Sequence, residues 1–349
     1  MRVSEEPKSP GASLESRWYS GPRPPAWTRP LEWLFRFLSG LRRRLYRMGW
    51  LRSVNPGCPV IVVGNITVGG TGKTPFVIWL VRRLREAGLK VAVVSRGYGG
   101  EASRDGASVD ADDLPTRVGD EPLLIAREAG VPVRVGADRV VAATRLVEEH
   151  APDVIVSDDG LQHYRLRRSL EIVIMDGERW TGNGHMLPAG PLREPAARLA
   201  TADLVVVNGG RRALEAGQYP MKLRLGEAVN LETGERRALE TFRDHPIHAV
   251  AGIGNPARFF AQLRDEFGLD VIEHPFADHA HYSAEDLDFG DGRPVLMTSK
   301  DAVKCMAWAG PAFWQVPARA EVAPEVWQRI GQVLARRVGG VIATRLETT

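Results

Sequence analysis

An α/β fold of two α/β/α domains, the first with a mostly parallel sheet, is what this sequence predicts, and three observations predict it. Short, largely apolar runs at residues 60–63, 91–94, 154–156, 170–175 and 204–207 alternate with stretches of helical period. Runs of this kind are strands whose two faces are both covered by helices. Each run ends in a Gly-rich or acidic cluster, and ligands of such sheets gather at the carboxyl ends of strands. The chain has 349 residues, enough for more than one hydrophobic core.

Taken in order, residues 1–29 are rich in Pro, Ser, Gly and charge and are expected to be a disordered extension. They lack the apolar core of a signal peptide. Residues 30–51 differ. Leu31, Leu34, Leu38, Leu41, Leu45 and Met48 recur at spacings of three and four, with Arg36, Arg42, Arg43, Arg44 and Arg47 between them. That is a basic amphipathic helix, bracketed by Trp33 and Trp50. Its charges interrupt the apolar run too soon for a membrane span, which needs about 20 apolar residues. It is expected to lie in a membrane interface, drawn to anionic lipid through residues 31–51. Packing on the protein's own core, or on a second copy, is the plainer alternative.

Residues 52–218 are assigned to the first domain. There the run Val60-Ile-Val-Val63 enters Gly64-Asn-Ile-Thr-Val-Gly-Gly-Thr-Gly-Lys-Thr74 and then a helical pattern. Strand, Gly-rich turn and helix in that order make a nucleotide-triphosphate P-loop, with a cradle at Thr67, Val68, Gly69, Gly70, Thr71, Gly72, Lys73 and Thr74. Its backbone amides and the helix dipole suit phosphate, Lys73 suits the β/γ-phosphates, and the Thr74 hydroxyl suits Mg²⁺. Thr67 stands where the signature has its first glycine. Lysine is rare in this chain, occurring only at positions 8, 73, 90, 222, 300 and 304 among 46 Lys and Arg. A lysine retained inside a glycine turn points to a need for a compact ammonium. Lys300 and Lys304 gain weaker interest by the same reasoning. Asp158 and Asp159, at the end of the 154–156 run, are the expected Mg²⁺ carboxylates. Such a triplet with Gly160 also makes ordinary turns.

Residues 219–244 alternate in polarity around Glu232-Thr-Gly-Glu235 and are expected to form a β-ribbon linker. Residues 245–340 are expected to form a smaller α/β domain, closed by a helix over 324–338. Cys58 and Cys305 are far apart and have no metal-ligand spacing, so both read as core thiols. A net charge of +3 gives no reason to expect a nucleic-acid partner.

Taken together, several motifs resemble the tetraacyldisaccharide 4′-kinase family, the lipid A 4′-kinases of Gram-negative bacteria. Besides the P-loop they are Ser95-Arg-Gly-Tyr98, Gly119-Asp-Glu-Pro122, Asp158-Asp-Gly-Leu-Gln-His163, Leu187-Pro-Ala-Gly-Pro-Leu-Arg-Glu194, Ala251-Gly-Ile-Gly-Asn-Pro256, Phe276-Ala-Asp-His279 and Met297-Thr-Ser-Lys-Asp-Ala-Val-Lys304. They run in family order over roughly residues 31–310. Ala280 and Ser299 depart from the residues the family often carries. The resemblance implies transfer of the ATP γ-phosphate to the 4′-hydroxyl of a tetraacylated glucosamine disaccharide 1-phosphate, the lipid A precursor. It implies a peripheral protein on the cytoplasmic face of the inner membrane. It further implies two domains joined by a ribbon, Asp120 as acceptor-side base and His279 as its support. Arg96, Arg193 and Glu194 become candidate substrate contacts, and Glu121 a candidate metal contact. By its position alone, Asp120 could equally be a helix N-terminal carboxylate, and His279 a loop histidine on Asp278.

Two other classes fit less well. A guanine-specific P-loop protein needs Asn/Thr-Lys-x-Asp, whereas Thr298-Ser-Lys-Asp301 has Lys and Asp adjacent. A membrane-bound partition-type ATPase would leave the motifs at 187–194 and 276–279 without a task.

Overall fold

A computed structural model describes residues 18–19, 24–338 and 345–346. In chain order the elements are α1 (Thr28–Arg47), β1 (Val60–Gly64), α2 (Lys73–Glu86), β2 (Val91–Ser95), β3 (Ala107–Val109), α3 (Pro115–Val118), α4 (Asp120–Ala129), β4 (Val133–Val135) and α5 (Arg139–His150). Then come β5 (Val154–Asp158), β6 (Leu170–Asp176), β7 (Leu204–Asn208), β8 (Gln218–Leu225), β9 (Ala228–Asn230), β10 (Arg236–Arg237) and β11 (Ile247–Ala251). The last are α6 (Pro256–Asp265), β12 (Val271–Pro275), β13 (Val295–Thr298), α7 (Ser299–Cys305), β14 (Phe313–Val316), β15 (Ala318–Val322) and α8 (Pro324–Val338).

Nine strands form the larger sheet, in the order β15-β8-β7-β6-β1-β5-β2-β4-β3. It is parallel except for the two edge strands, β3 and β15. Register puts Val63 opposite Asp158, so the P-loop and the Asp158-Asp159 pair leave the sheet side by side. On one face α2 lays Phe76, Leu80 and Leu84, all fully buried, on Ile61, Ile172 and Ile174. Burying side chains of this size stabilises the fold by roughly 1.5–3 kcal/mol each. On the other face Val140, Ala143 and Leu146 of α5 cover Val60, Val62 and Val94. The continuous apolar character of these strands follows from that double covering. A six-stranded sheet, β10-β9-β14-β13-β11-β12, builds the second lobe around Phe260, Leu263, Leu296 and Trp314.

Three expectations need correction. Residues 219–244 do not make a ribbon by themselves: β8 joins the larger sheet beside β7 and pairs antiparallel with β15, while β9 and β10 belong to the smaller sheet. The partner of β8 arrives almost a hundred residues later, beyond the reach of a local pattern. Helix α8 closes the first lobe rather than the second, because Val326, Trp327, Ile330 and Leu334 join the core of the larger sheet over β6 and β7. The expected disorder of residues 1–29 lies mostly outside the described residues, but Trp18 and Tyr19 are docked. The Trp18 carbonyl accepts from Asn183 N (2.8 Å), and the Tyr19 hydroxyl donates to the Val68 carbonyl (3.0 Å).

Helix α1 is turned inside out. Glu32 is its buried charge, accepting from Met186 N at 3.0 Å and His185 Nδ1 at 3.2 Å. Arg43 reaches Glu194 at 3.8 Å. Trp33, Leu34, Phe37, Leu38 and Leu41 face outward, with Trp33 75% and Leu34 54% exposed. Among the described residues no helix is long and apolar enough to cross a membrane.

Candidate active site

A cleft of about 1330 Å³ runs between the lobes. Its floor is the P-loop. Gly69 and Gly72 have φ of 96° and 90°, a conformation that disfavours any side chain. A Cβ on Gly72 would lie 2.6 Å from Asn208 Nδ2, which itself donates to the Thr71 carbonyl at 3.1 Å. Helix α2 starts at Lys73 with no side-chain cap, which leaves its first-turn amides available to phosphate. Thr67 bridges to Leu192 in extended pairing, so a β-branched residue is tolerated where the signature has glycine.

Lys73 Nζ lies 3.8 Å from Asp159 Oδ1, and Arg193 Nη1 lies 3.0 Å from Asp159 Oδ2. Burial would raise the Asp159 carboxyl, but those two cations outweigh it and hold it at about 2. Asp158 behaves oppositely. Complete burial, then the nearby Glu121 and Asp159 charges, push it up to about 7. Ser95 Oγ donates to its Oδ2 at 3.2 Å, while Oδ1 is buried with no hydrogen-bond partner. A buried carboxylate oxygen with unused capacity, at the end of the strand paired with β1, fits a divalent cation better than Asp159, which two cations already hold. Among the described residues no three His, Cys, Asp or Glu side chains converge as a self-contained metal site. Such a cation would therefore need nucleotide phosphates for part of its shell. Glu121 is engaged by Lys300 at 3.0 Å.

Asp120 is buried just behind the cleft wall, next to Glu121, which lines it. It opens α4 after Gly119, whose φ of 92° and close approach to the Tyr98 carbonyl (2.8 Å from a built Cβ) exclude a side chain. His279, from the second lobe, brings Nδ1 to 3.1 Å from both Asp120 oxygens. Its φ of 63° is strained for a non-glycine residue, and its ring packs 4.9 Å from that of Tyr98. Lys300 and Lys304 of α7 each place Nζ 3.8 Å from Asp120 Oδ2. Lys300 also pairs with Asp278 at 2.9 Å, and Lys304 with Asp301 at 3.2 Å. Burial works against the Asp120 anion, yet the His279 hydrogen bond and the lysine charges prevail and hold it at about 2. Burial likewise opposes the His279 cation, but Asp120 raises its pKa above the ordinary value. Lys300 is raised too, its burial overcome by Glu121, Asp120 and Asp278.

The remaining candidates separate. Arg96 is exposed on the cleft wall, and Arg193 stands beside Lys73 through their shared Asp159. Glu194 is buried and occupied by Tyr164 (2.9 Å), Gln162 (3.2 Å), Arg198 (3.2 Å) and Arg43 (3.8 Å), so it braces the cleft rather than offering a bare carboxylate.

Sequence reasoning passed over Asn208 and Arg179. Arg179 donates to the Gly70 carbonyl (2.6 Å) and the Gly254 carbonyl (2.5 Å) while holding Asp176 at 3.2 Å. Asp176 also holds Arg258 of α6 at 2.8 Å. P-loop and second lobe are thus clasped together, and a Cβ on Gly254 would fall 2.0 Å from Gly70 N. In a chain so rich in arginine, nothing marked Arg179 beforehand.

The profile of a family described as tetraacyldisaccharide-1-P 4′-kinase, LpxK, matches residues 25–335. The chain belongs to this family. It is 49% identical over 324 residues to the tetraacyldisaccharide 4′-kinase of Stenotrophomonas maltophilia, covering 91% of this chain and 95% of that one. It is 50% identical over 321 residues to the enzyme of that name from Alkalilimnicola ehrlichii, covering 90% and 95%. Among solved structures, LpxK from Aquifex aeolicus in complex with ATP superposes with a TM-score of 0.74 at 27% identity, covering 88% of this chain and 97% of that one. Membership accounts for two α/β/α lobes around one cleft.

Proposed function

We propose that this chain is an ATP-dependent kinase that phosphorylates the 4′-hydroxyl of a tetraacylated glucosamine disaccharide 1-phosphate, a step of lipid A biosynthesis. The observation that carries the reading is the pairing of Asp120 with His279 of the second lobe, which lines the same cleft as the P-loop. Phosphoryl transfer demands alignment and charge neutralisation more than covalent help.

In this reading the amides of 69–74 and Lys73 hold the triphosphate, and Arg193 steadies the γ-phosphoryl group. Magnesium, when bound at Thr74 and Asp158, would supply further charge neutralisation on the β- and γ-phosphates. The sugar hydroxyl oxygen attacks the γ-phosphorus, ADP leaves, and the hydroxyl proton passes to Asp120. A carboxylate held near 2 cannot remove that proton from a resting alcohol, so the transfer falls late, as the O–P bond forms. His279, Lys300 and Lys304 orient Asp120 and keep it ionised. Arg96 is assigned to the acceptor, with Glu194 as the brace that sets Arg193's loop. The outward leucines and tryptophans of α1 would enter the membrane interface from the cytoplasmic side, leaving acyl chains in the bilayer while the sugar reaches the cleft.

Transfer of labelled phosphate from ATP to the purified acceptor tests the reading. Asp120→Ala should lower kcat by on the order of 100-fold or more with the KM for ATP little changed. An unaltered rate would reduce Asp120 to a helix-terminal charge. His279→Ala removes a hydrogen bond that lowers the Asp120 pKa, so that pKa should rise and the acid limb of kcat/KM should move to higher pH. A limb that stays in place would remove His279 from this role.

A further inference from the structure

Four successive carbonyls of the phosphate cradle, from Val68 to Thr71, each accept a hydrogen bond from a side chain. Tyr19 Oη donates to Val68 (3.0 Å), Asn65 Nδ2 to Gly69 (3.4 Å), Arg179 Nη2 to Gly70 (2.6 Å) and Asn208 Nδ2 to Thr71 (3.1 Å). In a trans peptide the carbonyl and the N–H of the next residue point opposite ways. Each donor therefore turns one amide, from Gly69 to Gly72, away from itself and fixes it before a phosphate arrives.

Arg179 has a second task. Its Nη1 donates to the Gly254 carbonyl of the second lobe at 2.5 Å. Asp176, at 3.2 Å, and the Tyr19 ring, 5.0 Å from the guanidinium carbon, hold it in place. A planar guanidinium serves two carbonyls at once in a fixed geometry, which a flexible ammonium does not. Gly254 has no room beside the cradle for a side chain, since a Cβ there would fall 2.0 Å from Gly70 N.

The loop that carries Gly254 leads on to Asp120. Gly252 N donates to Asp301 Oδ2 at 2.9 Å, and a Cβ on Gly252 would lie 2.2 Å from Tyr282 Oη. Asp301 is fully buried and also accepts from Tyr282 Oη (2.7 Å) and Thr298 Oγ1 (2.6 Å). It pairs with Lys304 at 3.2 Å, and Lys304 stands 3.8 Å from Asp120. None of these residues is exposed, so displacing one leaves a buried polar group unpaired. The motif at 251–256, which holds no part in the chemistry above, spans the distance between cradle and base.

We propose that Arg179 is a positioning residue of the kinase: it ties the phosphate cradle to the loop at 252–254, so that filling the cradle and setting Lys304 on Asp120 occur together. The inference rests on the kinase reading above. Arg179 acts through Gly254 and Asp301, without touching the acceptor.

Arg179→Gln and Tyr19→Leu test it. Tyr19 is half-buried on the rim of the cleft, so its replacement loosens Arg179 without opening a core, and it carries both readings below if Arg179→Gln does not fold. Arg179→Gln should lower kcat by on the order of 100-fold, the effect of a small misplacement. The Kd for a nonhydrolysable ATP analogue should rise by only about threefold. Tyr19→Leu should show the same split, with kcat down by about fivefold. In hydrogen exchange, the analogue should slow residues 252–254 and 301–304 of the wild-type protein by about tenfold and leave them unmoved in Arg179→Gln. A kcat within about twofold of wild type in both variants overturns the proposal. So does a Kd that rises as much as kcat falls, because Arg179 would then serve the cradle alone, and so does protection of 252–254 that survives Arg179→Gln. A wild-type protein that transfers no phosphate to the acceptor refutes the kinase reading instead, and the exchange experiment still decides whether cradle and loop are linked.

Discussion

Helices α1 and α2 carry the same kind of apolar stripe and use it in opposite ways. In α2 the stripe of Phe76, Leu80 and Leu84 is fully buried, and the polar end at Lys73 faces the cleft. In α1 the polar side meets the body through Glu32 and Arg43, while Leu34, Leu38 and Leu41 look outward. Periodicity establishes that a helix has two sides, but not which of them the fold keeps. That choice is made by partners: α2 lies on a sheet with an apolar face, whereas α1 meets the Met186 amide, His185 and Glu194. An outward stripe on a helix anchored by its charges suits an interface rather than a core.

Substitutions in the two helices should therefore act on different observables. Lys73→Ala, at the first turn of α2, should cut turnover by on the order of 1,000-fold while the melting temperature barely moves; activity within a few-fold of wild type would remove the phosphate cradle. Leu80→Ala, about two turns along, should cost about 2–5 kcal/mol of stability in a denaturant titration, because a fully buried side chain leaves a cavity. The paired change Leu34→Glu/Leu38→Glu in α1 should leave that titration unmoved and weaken binding to anionic vesicles by on the order of 100-fold. If the pair instead destabilises the protein as Leu80→Ala does, the outward stripe is covered by protein. Glu32→Ala removes the acceptor of a buried amide and should cost about 1–3 kcal/mol, seen as earlier hydrogen exchange in α1 and not in α2.

The strand, Gly-rich turn and helix of the P-loop could be read from sequence because they are contiguous. The place of Asp158 and Asp159 was legible for the same reason, at the end of a strand that pairs with β1. Asp120 and His279 are 159 positions apart, and only a family resemblance joined them before the fold did. Lys300 and Lys304 left a fainter trace, as lysines kept in a chain that otherwise prefers arginine, and the structure brings both ammonium groups to Asp120. Arg179 had no such contrast. The pairing of β15 with β8, and the return of α8 to the first lobe, were hidden because each depends on a partner distant in sequence.

That return has a consequence for how the protein is made. The six-stranded lobe is an insertion: the chain leaves the larger sheet after β8, and β15 and α8 come back to it. During translation the whole second lobe emerges before the residues that finish the first, so Leu84 and Ile174 wait without Ile330 and Leu334 above them. A nascent chain with residues up to about 317 outside the ribosome should hold a folded distal lobe and a sticky, half-roofed proximal one, the state in which a chaperone would find most to bind.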